Sequence, residues 1–96
     1  MAVCTGEGEL VMGSCGAFAV VEALRRGASP LEAGGSVLER IASLFSLEKH
    51  HQLGIIVSDA SGRHIVIALR DGFRAVIGDR DGSRVVEPDM VLYPGT

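Results

Sequence analysis

Three turn signals, each combining aspartate with glycine, divide the second half of this chain into short apolar segments. They are Asp59-Ala60-Ser61-Gly62, Arg70-Asp71-Gly72 and Arg80-Asp81-Gly82-Ser83. Aspartate favours turns because its side chain binds nearby backbone N–H groups, and glycine adopts the positive φ that tight turns require. The pattern predicts an antiparallel β-meander over about 53–86. Its strands are expected at 53–58, 63–69, 73–78 and 84–86.

The first half of the chain shows helical periodicity after a short apolar beginning. Met1–Cys4 is apolar and predicts the end of a buried strand. From Glu9 onward, apolar residues follow two neighbouring helical stripes, which is typical of a helix packed on more than one side. Gly27 follows two arginines and suits the position just after a helix C-terminus. We therefore expect a strand end and turn at 1–8 and a helix at about 9–26.

A second helix begins with a full set of start signals. Ser29 suits the N-cap, Pro30 the first helical position, and Glu32 the position that closes a capping box. The apolar residues that follow share one helical face, which predicts a helix at about 30–45. The segment 87–96 contains two prolines and is expected to be an irregular tail. Together these elements predict a single α+β domain.

Composition and charge narrow the possible classes of function. The chain has 96 residues, 47% of them hydrophobic, which suits one small globular domain and argues against disorder. Its net charge is −3 and its basic residues are scattered, so we expect no nucleic-acid partner. It has no apolar run long enough to span a bilayer, so no membrane partner is expected. Residues 1–20 lack the basic segment of a secretory signal, and we expect a cytoplasmic location.

The cysteines and histidines do not form a metal or redox motif. Cys4 and Cys15 lie in apolar sequence and are too few for a disulfide framework, which predicts free buried thiols in a reducing compartment. His50 and His51 are adjacent in a loop, and no further ligand stands at metal-binding spacing. His64 lies within a predicted strand and has no sequence partner for catalysis. We expect neither a metal nor an organic cofactor.

The segment Thr5-Gly6-Glu7-Gly8-Glu9 is the part of the chain with a chemical character. It stands where a strand gives way to a helix, whose first N–H groups lack internal partners and favour negative charge. A hydroxyl from Thr5 and an N–H from Gly6 can hold an oxyanion at such a place. The alternative is a glycine-rich turn that only redirects the chain, since short glycine motifs are common. It is not a phosphate-binding loop, because the lysine and hydroxyl pair of such loops is absent.

The same segment and the sequence after it resemble a known family. The string TGEGELVMGSCGAFAVVEALRRGASPLEAGGSVLERI is similar to the corresponding stretch of the glycosylasparaginase and isoaspartyl peptidase/asparaginase family. That family shows TG-x-G-[DE], a long helix, a second helix and then strands. The resemblance continues through GIIVSDASGRHIVIALRDGFRAVIGD and covers residues 2–79. The TG-x-G-E element is its specific part, whereas the helices and strands are generic.

The resemblance implies a fragment of an αββα sandwich, namely the C-terminal part of the β subunit of an N-terminal-nucleophile hydrolase. Such enzymes cleave their own precursor, and the new N-terminal threonine is the nucleophile while its α-amino group acts as the base. Their substrates are side-chain amides of asparagine, isoaspartyl peptides or glycosylated asparagine. By resemblance, the Thr5 hydroxyl and the Gly6 N–H form the oxyanion hole, and the Gly6 carbonyl helps to hold the substrate α-amino group. Glu7, Gly8 and Glu9 would shape the turn.

The chain also departs from the family pattern. The nucleophile of the family lies upstream of the TG-x-G-E motif, with the arginine and aspartate that bind the substrate, and these 96 residues contain none of them. Thr5 cannot replace the nucleophile because it is internal and has no free α-amino group. Gly13 stands where the family often has arginine. We therefore expect the isolated chain to be inactive. An upstream segment or a homo-oligomer is expected to cover its open sheet.

A different class of function stays open as an alternative. The chain could be a non-catalytic α+β module that dimerises or binds a protein partner through its open sheet, as its methionine start and complete capping box allow. Replacing Thr5 by alanine separates the two hypotheses. An enzyme part would lose an oxyanion donor, whereas a structural module would lose about 1 kcal/mol of stability from a cap.

Overall fold

A computed structural model describes residues 1–6, 16–45, 47 and 51–94 of the chain. These residues form two helices and six strands, which confirms the α+β fold class. In chain order the elements are β1 (Ala2–Gly6), α1 (Gly16–Arg25), α2 (Pro30–Leu44), β2 (Leu53–Ser58), β3 (His64–Arg70), β4 (Ala75–Asp79), β5 (Gly82–Val86) and β6 (Met90–Tyr93).

Some of the residues singled out by the sequence lie outside the described part of the chain. They are Glu7, Gly8 and Glu9 of the chemical segment, the predicted start of the first helix over 9–15 with Gly13 and Cys15, and His50. The described part of the first helix, α1, ends one residue before the predicted boundary. Thr5 and Gly6 both lie within the described part, at the end of β1.

The strands are divided between two sheets. A four-stranded sheet has the order β1-β2-β3-β6, and β4 and β5 form a separate antiparallel pair. The β2–β3 and β4–β5 hairpins are both antiparallel, as the turn signals predict, but they do not continue into each other as one sheet. Within the four-stranded sheet, β1 and β6 are the outer strands. The second half is therefore two hairpins rather than one continuous meander.

The prediction of an irregular tail over 87–96 is wrong for Met90–Tyr93, which forms β6. This strand runs parallel to β3, with Met90 opposite Ile67. Asp89 fixes the junction, because its N–H donates to the Val66 carbonyl at 2.6 Å and its carboxylate accepts from the Val66 N–H at 2.8 Å. The prolines did not prevent strand formation because they flank β6, where no ladder N–H is lost.

The helix boundaries follow the local signals of the sequence. The capping box of α2 is confirmed: the Glu32 N–H donates to the Ser29 hydroxyl at 3.2 Å, and the Ser29 N–H donates to the Glu32 carboxylate at 3.0 Å. Gly27 ends α1 with a φ of 100°. The next N–H, that of Ala28, donates back to the Ala23 carbonyl at 3.0 Å. This is the hydrogen bond of a Schellman cap, for which glycine is the preferred residue.

The core lies between the two helices and one face of the four-stranded sheet. Its buried residues in β2 and β3 alternate along each strand, as expected for positions that share one face of a sheet. The buried residues of the core are Val20, Ala33, Val37, Leu38, Ile41, Leu53, Ile55, Val57, Ile67 and Leu69. At Gly34 of α2, a Cβ atom would stand 2.7 Å from Cδ1 of Ile67, so this glycine allows the helix to lie close to β3.

The opposite face of the sheet is covered differently. The alternation of β1 places Val3 and Thr5 on this face, since Cys4 packs against the core. The side chain of Val3 is 50% exposed. The Phe73 ring lies directly over Gly54 of β2, where an added Cβ atom would collide with it. Phe73 therefore shields the backbone of β2 on this face, beside β1.

Candidate functional site

Thr5 and Gly6 are the last two residues of β1. Thr5 pairs with Gly54 and Gly6 pairs with Leu53 in the antiparallel register with β2. Both residues are exposed, and the alternation of the strand directs the Thr5 side chain to the face away from the helices. The sequence predicts a turn that includes both residues. The structure instead places both proposed oxyanion donors at the end of strand β1, in register with β2.

The backbone position of Gly6 admits no other residue without strain. Its φ is 120°, a conformation that residues with a Cβ rarely adopt. An added Cβ would also collide with the carbonyl oxygen of Gln52 and stand 2.9 Å from Cα of Leu53. Both obstacles are backbone atoms, which cannot move aside as a flexible side chain can. Gly6 therefore fits closely against the peptide group that joins Gln52 to Leu53.

The side chain of Gln52 makes four hydrogen bonds at this end of the sheet. Its Oε1 accepts from the Leu53 N–H and from the Arg70 N–H, both at 3.0 Å. Its Nε2 donates to the Arg70 carbonyl at 2.9 Å and to the Asp71 carbonyl at 3.3 Å. We call these four contacts the Gln52 bridge. It ties the beginning of β2 to the end of β3, so a single side chain replaces ladder contacts where the strands end.

Arg70 continues the bridge toward the far edge of the sheet. It is 9% exposed and is the one buried charged residue among the described positions. Its Nε donates to the His51 carbonyl at 3.0 Å, and its guanidinium carbon lies 5.2 Å from the centre of the Tyr93 ring. A cation over an aromatic face is attracted by the negative charge of the ring. Arg70 thus joins the residue before Gln52 to the end of β6.

Among the described residues, the other titratable groups near this site do not add a reactive centre. Burial raises the pKa of the Cys4 thiol, which disfavours the reactive thiolate, and Cys4 forms no disulfide. His64 is exposed at the start of β3, and His51 contributes its carbonyl to Arg70. Among the described positions, no group of three or more His, Cys, Asp or Glu side chains is placed to hold a metal ion.

A cleft between described residues lies at the other end of the sheet. It has a volume of 490 Å³ and is not lined by Thr5 or Gly6. Its lining includes Met1, Leu24, Asp59 and Arg63. Among the described residues, Thr5 and Gly6 thus form an exposed strand end. Neither of the two described helices has the length and apolar character needed to cross a bilayer.

The sequence did not identify Gln52 or Arg70 as part of the candidate site. Gln52 stands directly before an apolar strand and Arg70 directly after one, so each looked like an ordinary strand boundary. The signal that could have been used is geometric. In this hairpin Gly54 pairs with Ala68, so the register places Gln52 opposite Arg70. A polar pair at those two positions can therefore bond across the hairpin.

The chain is similar to part of a known protein, although it matches no family model. No known protein-family model matches the chain. A curated protein of Elizabethkingia miricola, N(4)-(Beta-N-acetylglucosaminyl)-L-asparaginase, is 30% identical to the chain over 95 residues. The matched stretch covers 95% of this chain but 28% of that relative. The chain is therefore similar, over nearly its whole length, to a minor part of a hydrolase that is named for an asparagine amide.

Proposed function

We propose that this chain is the C-terminal part of an asparaginase-like amidohydrolase and supplies its oxyanion hole. The donors are the Thr5 hydroxyl and the Gly6 N–H. The observation that carries the proposal is the strand end at Gly6, where a positive φ and the neighbouring Gln52 carbonyl require glycine beside an exposed threonine. The likeness to the Elizabethkingia miricola asparaginase supports the same class of reaction.

The proposed reaction is hydrolysis of a side-chain amide of asparagine, of an isoaspartyl peptide or of glycosylated asparagine. A threonine nucleophile from sequence outside these 96 residues gives its hydroxyl proton to its own α-amino group and attacks the amide carbon, so negative charge develops on the amide oxygen. The C–N bond then breaks, the amine leaves with that proton, and water hydrolyses the threonine ester to release the carboxylic acid. Thr5 Oγ–H and Gly6 N–H donate hydrogen bonds to the negatively charged amide oxygen, while the Gly6 carbonyl accepts from the substrate α-amino group. A donor of this kind contributes about 2.7–4 kcal/mol to transition-state stabilisation.

The surroundings of Thr5 are compatible with this role. Its cross-strand partner is Gly54, and the Phe73 ring fills the space that a side chain at position 54 would take. Phe73 therefore provides an apolar surface on the same face of the sheet as Thr5. A weakly polar wall strengthens hydrogen bonds to a developing charge because it keeps water away. The half-exposed face around Val3 is where an upstream segment, or a second copy of the chain, would complete the enclosure.

The test is a chimera in which this chain replaces the matched stretch of the Elizabethkingia miricola relative. Hydrolysis of N4-(N-acetylglucosaminyl)asparagine and of free asparagine would be measured by aspartate release. We expect Thr5→Ala to lower kcat by about 10²–10³-fold, since one oxyanion donor is lost. Thr5→Ser keeps the hydroxyl and should retain most of the activity.

The control for this test is Ser83→Ala, which removes an exposed hydroxyl from the separate β4–β5 hairpin. It should leave kcat unchanged. A chimera that hydrolyses either substrate equally well with and without the Thr5 hydroxyl would contradict the proposal. Thermal unfolding of each variant would show that a loss of activity is not a loss of the fold.

A second candidate function is a non-catalytic module that binds a protein partner or a second copy of itself. The observation in its favour is the β4–β5 hairpin, where Val76 and Val85 are directly opposite each other and 64% and 66% exposed. Paired exposed valines on a hairpin are typical of a surface that becomes covered. Sedimentation of the chain with and without Val76→Thr and Val85→Thr would test self-association through this surface.

A further inference from the structure

We infer that Gln52 is a positioning residue for the Thr5–Gly6 donor pair. The inference rests on the proposed function and adds to it a residue outside the TG-x-G-E motif. Gln52 touches no reacting atom. It acts by fixing the peptide group against which Gly6 is packed, so that the Gly6 N–H points in one direction.

The first step of the argument concerns a single peptide unit. The carbonyl of Gln52 and the N–H of Leu53 belong to the same planar group. The carbonyl side of that group lies against Gly6, and its N–H side donates to Gln52 Oε1 at 3.0 Å. Because the group is planar, holding the N–H also fixes where the carbonyl oxygen points. The side chain of Gln52 thereby sets the wall that Gly6 must fit.

The second step concerns what holds the glutamine itself. Its amide also accepts from the Arg70 N–H and donates to the Arg70 carbonyl, so it is anchored to β3 on both sides. The Arg70 side chain in turn bonds the His51 carbonyl, on the residue before Gln52. The peptide beside Gly6 is therefore fixed to the centre of the sheet, although β1 is an outer strand.

The third step concerns why the residue is an amide. The four contacts need one side chain that accepts two hydrogen bonds and donates two. The glutamine amide accepts both through Oε1 and donates both through Nε2. Glutamate would keep the two accepted hydrogen bonds but would face two carbonyl oxygens with a negative charge. Leucine would leave all four backbone groups without this partner. Gln52→Glu and Gln52→Leu therefore remove the bridge in different ways.

The first experiment uses the 96-residue chain and needs no activity. The amide resonances of Gly6, Leu53 and Arg70 would be followed by NMR in the wild type, Gln52→Glu and Gln52→Leu. We expect the Gly6 amide to shift in both variants and the Leu53 amide to exchange faster in Gln52→Leu. Ser58→Ala, at the other end of β2, is the matched control and should leave Gly6 unchanged. An unshifted Gly6 amide in both variants would overturn the inference.

The second experiment separates positioning from stability in the chimera. We expect Gln52→Glu to lower kcat by up to about 100-fold, as a small misplacement of a catalytic group can, while KM changes little. A purely structural role would lower the melting temperature and leave the kcat of the folded enzyme unchanged. Unchanged kcat in folded Gln52→Glu overturns the inference.

The same data distinguish failure of this inference from failure of the proposed function. If Thr5→Ala has no effect on kcat, the oxyanion role of the site is wrong, whatever Gln52 does. If Thr5→Ala is severe and both Gln52 variants retain full kcat, the oxyanion role stands and the positioning role of Gln52 is wrong.

Discussion

The two ends of the β2–β3 hairpin are held together in opposite ways. At the turn, the Asp59 carboxylate accepts from the Ser61 N–H at 2.9 Å and from the Arg63 N–H at 3.0 Å, all within five residues of sequence. At the open end, the Gln52 bridge joins residues 18 and 19 positions apart. The turn contacts order only the local chain. The bridge instead orders the place where the end of β1, the beginning of β2 and the end of β3 meet.

This difference between the two ends explains why Gly6 holds a positive φ in crowded surroundings, whereas Gly62 holds one in open space. Gly62, in the Asp59 turn, has a φ of 90° and nothing within 4 Å of an added Cβ. Gly6 has a φ of 120° and backbone atoms in that space. The turn needs glycine only for its dihedral angle. The strand end needs it for the angle and for the room, because the Gln52 bridge keeps the neighbouring peptide in place.

The largest expected effect comes from replacing each of these glycines by alanine. Gly62→Ala should cost about 1 kcal/mol, the strain of a positive φ. Gly6→Ala adds a collision with backbone and should cost about 3 kcal/mol in total. Urea unfolding of the two variants measures the difference directly. Equal losses would mean that β1 can move away from Gln52 at no cost and that the two ends do not differ as described.

The next effect concerns Tyr93, which extends the bridge to β6. Tyr93→Leu removes the ring beneath the Arg70 guanidinium and should lower the free energy of unfolding by about 1 kcal/mol. Tyr93→Phe keeps a ring and is the matched control, expected to retain most of that stability. A Leu variant as stable as the Phe variant would show that the ring at position 93 adds no stability through its contact with Arg70.

The smallest effect is the pH dependence of the turn. The hydrogen bond from the Ser61 hydroxyl, with further contacts from Arg63, lowers the pKa of the Asp59 carboxyl to about 2 from its ordinary 3.8. A carboxyl whose pKa is lower in the folded state stabilises the fold above the unfolded pKa. This contribution should disappear as the pH falls from about 4 to about 2. Melting temperatures of the wild type and Asp59→Asn over that range should converge at the acid end.

The expected pH dependence of the Asp59 turn also differs from that of the Gln52 bridge. Because the Arg63 side chain is 71% exposed, solvent screens its ion pair with Asp59 and the change should be modest. The Gln52 bridge has no titratable group of its own, so it should not respond to pH in this range. A large acid transition that persists in Asp59→Asn would have to come from other carboxyl groups, such as Glu22, whose pKa the neighbouring Arg25 lowers.

The same division between local and distant contacts explains what the sequence could predict. The α2 capping box, the Gly27 cap and the hairpin turn at Asp59 each depend on residues a few positions apart, and all three were predicted. Pairing of β6 with β3 depends on Asp89 meeting Val66, and no short-range pattern encodes that contact. The Gln52 bridge was missed for the same reason. Thr5 and Gly6 were identified from a motif, but their place within a strand required the pairing of β1 with β2.

The position of β1 at an outer edge has a consequence for the order in which the molecule forms and opens. Met1, the residue before β1, donates to the carbonyl of Ser58, 57 positions away along the chain, whereas β2 and β3 meet across a turn of a few residues. Closing a long loop carries a larger entropy loss than closing a short one, so β1 should join last and detach first. Hydrogen exchange should accordingly be fastest in β1. The strand that presents Thr5 and Gly6 would then open and close while the rest of the sheet stays folded. A ligand bound there would stabilise the closed, paired position of β1.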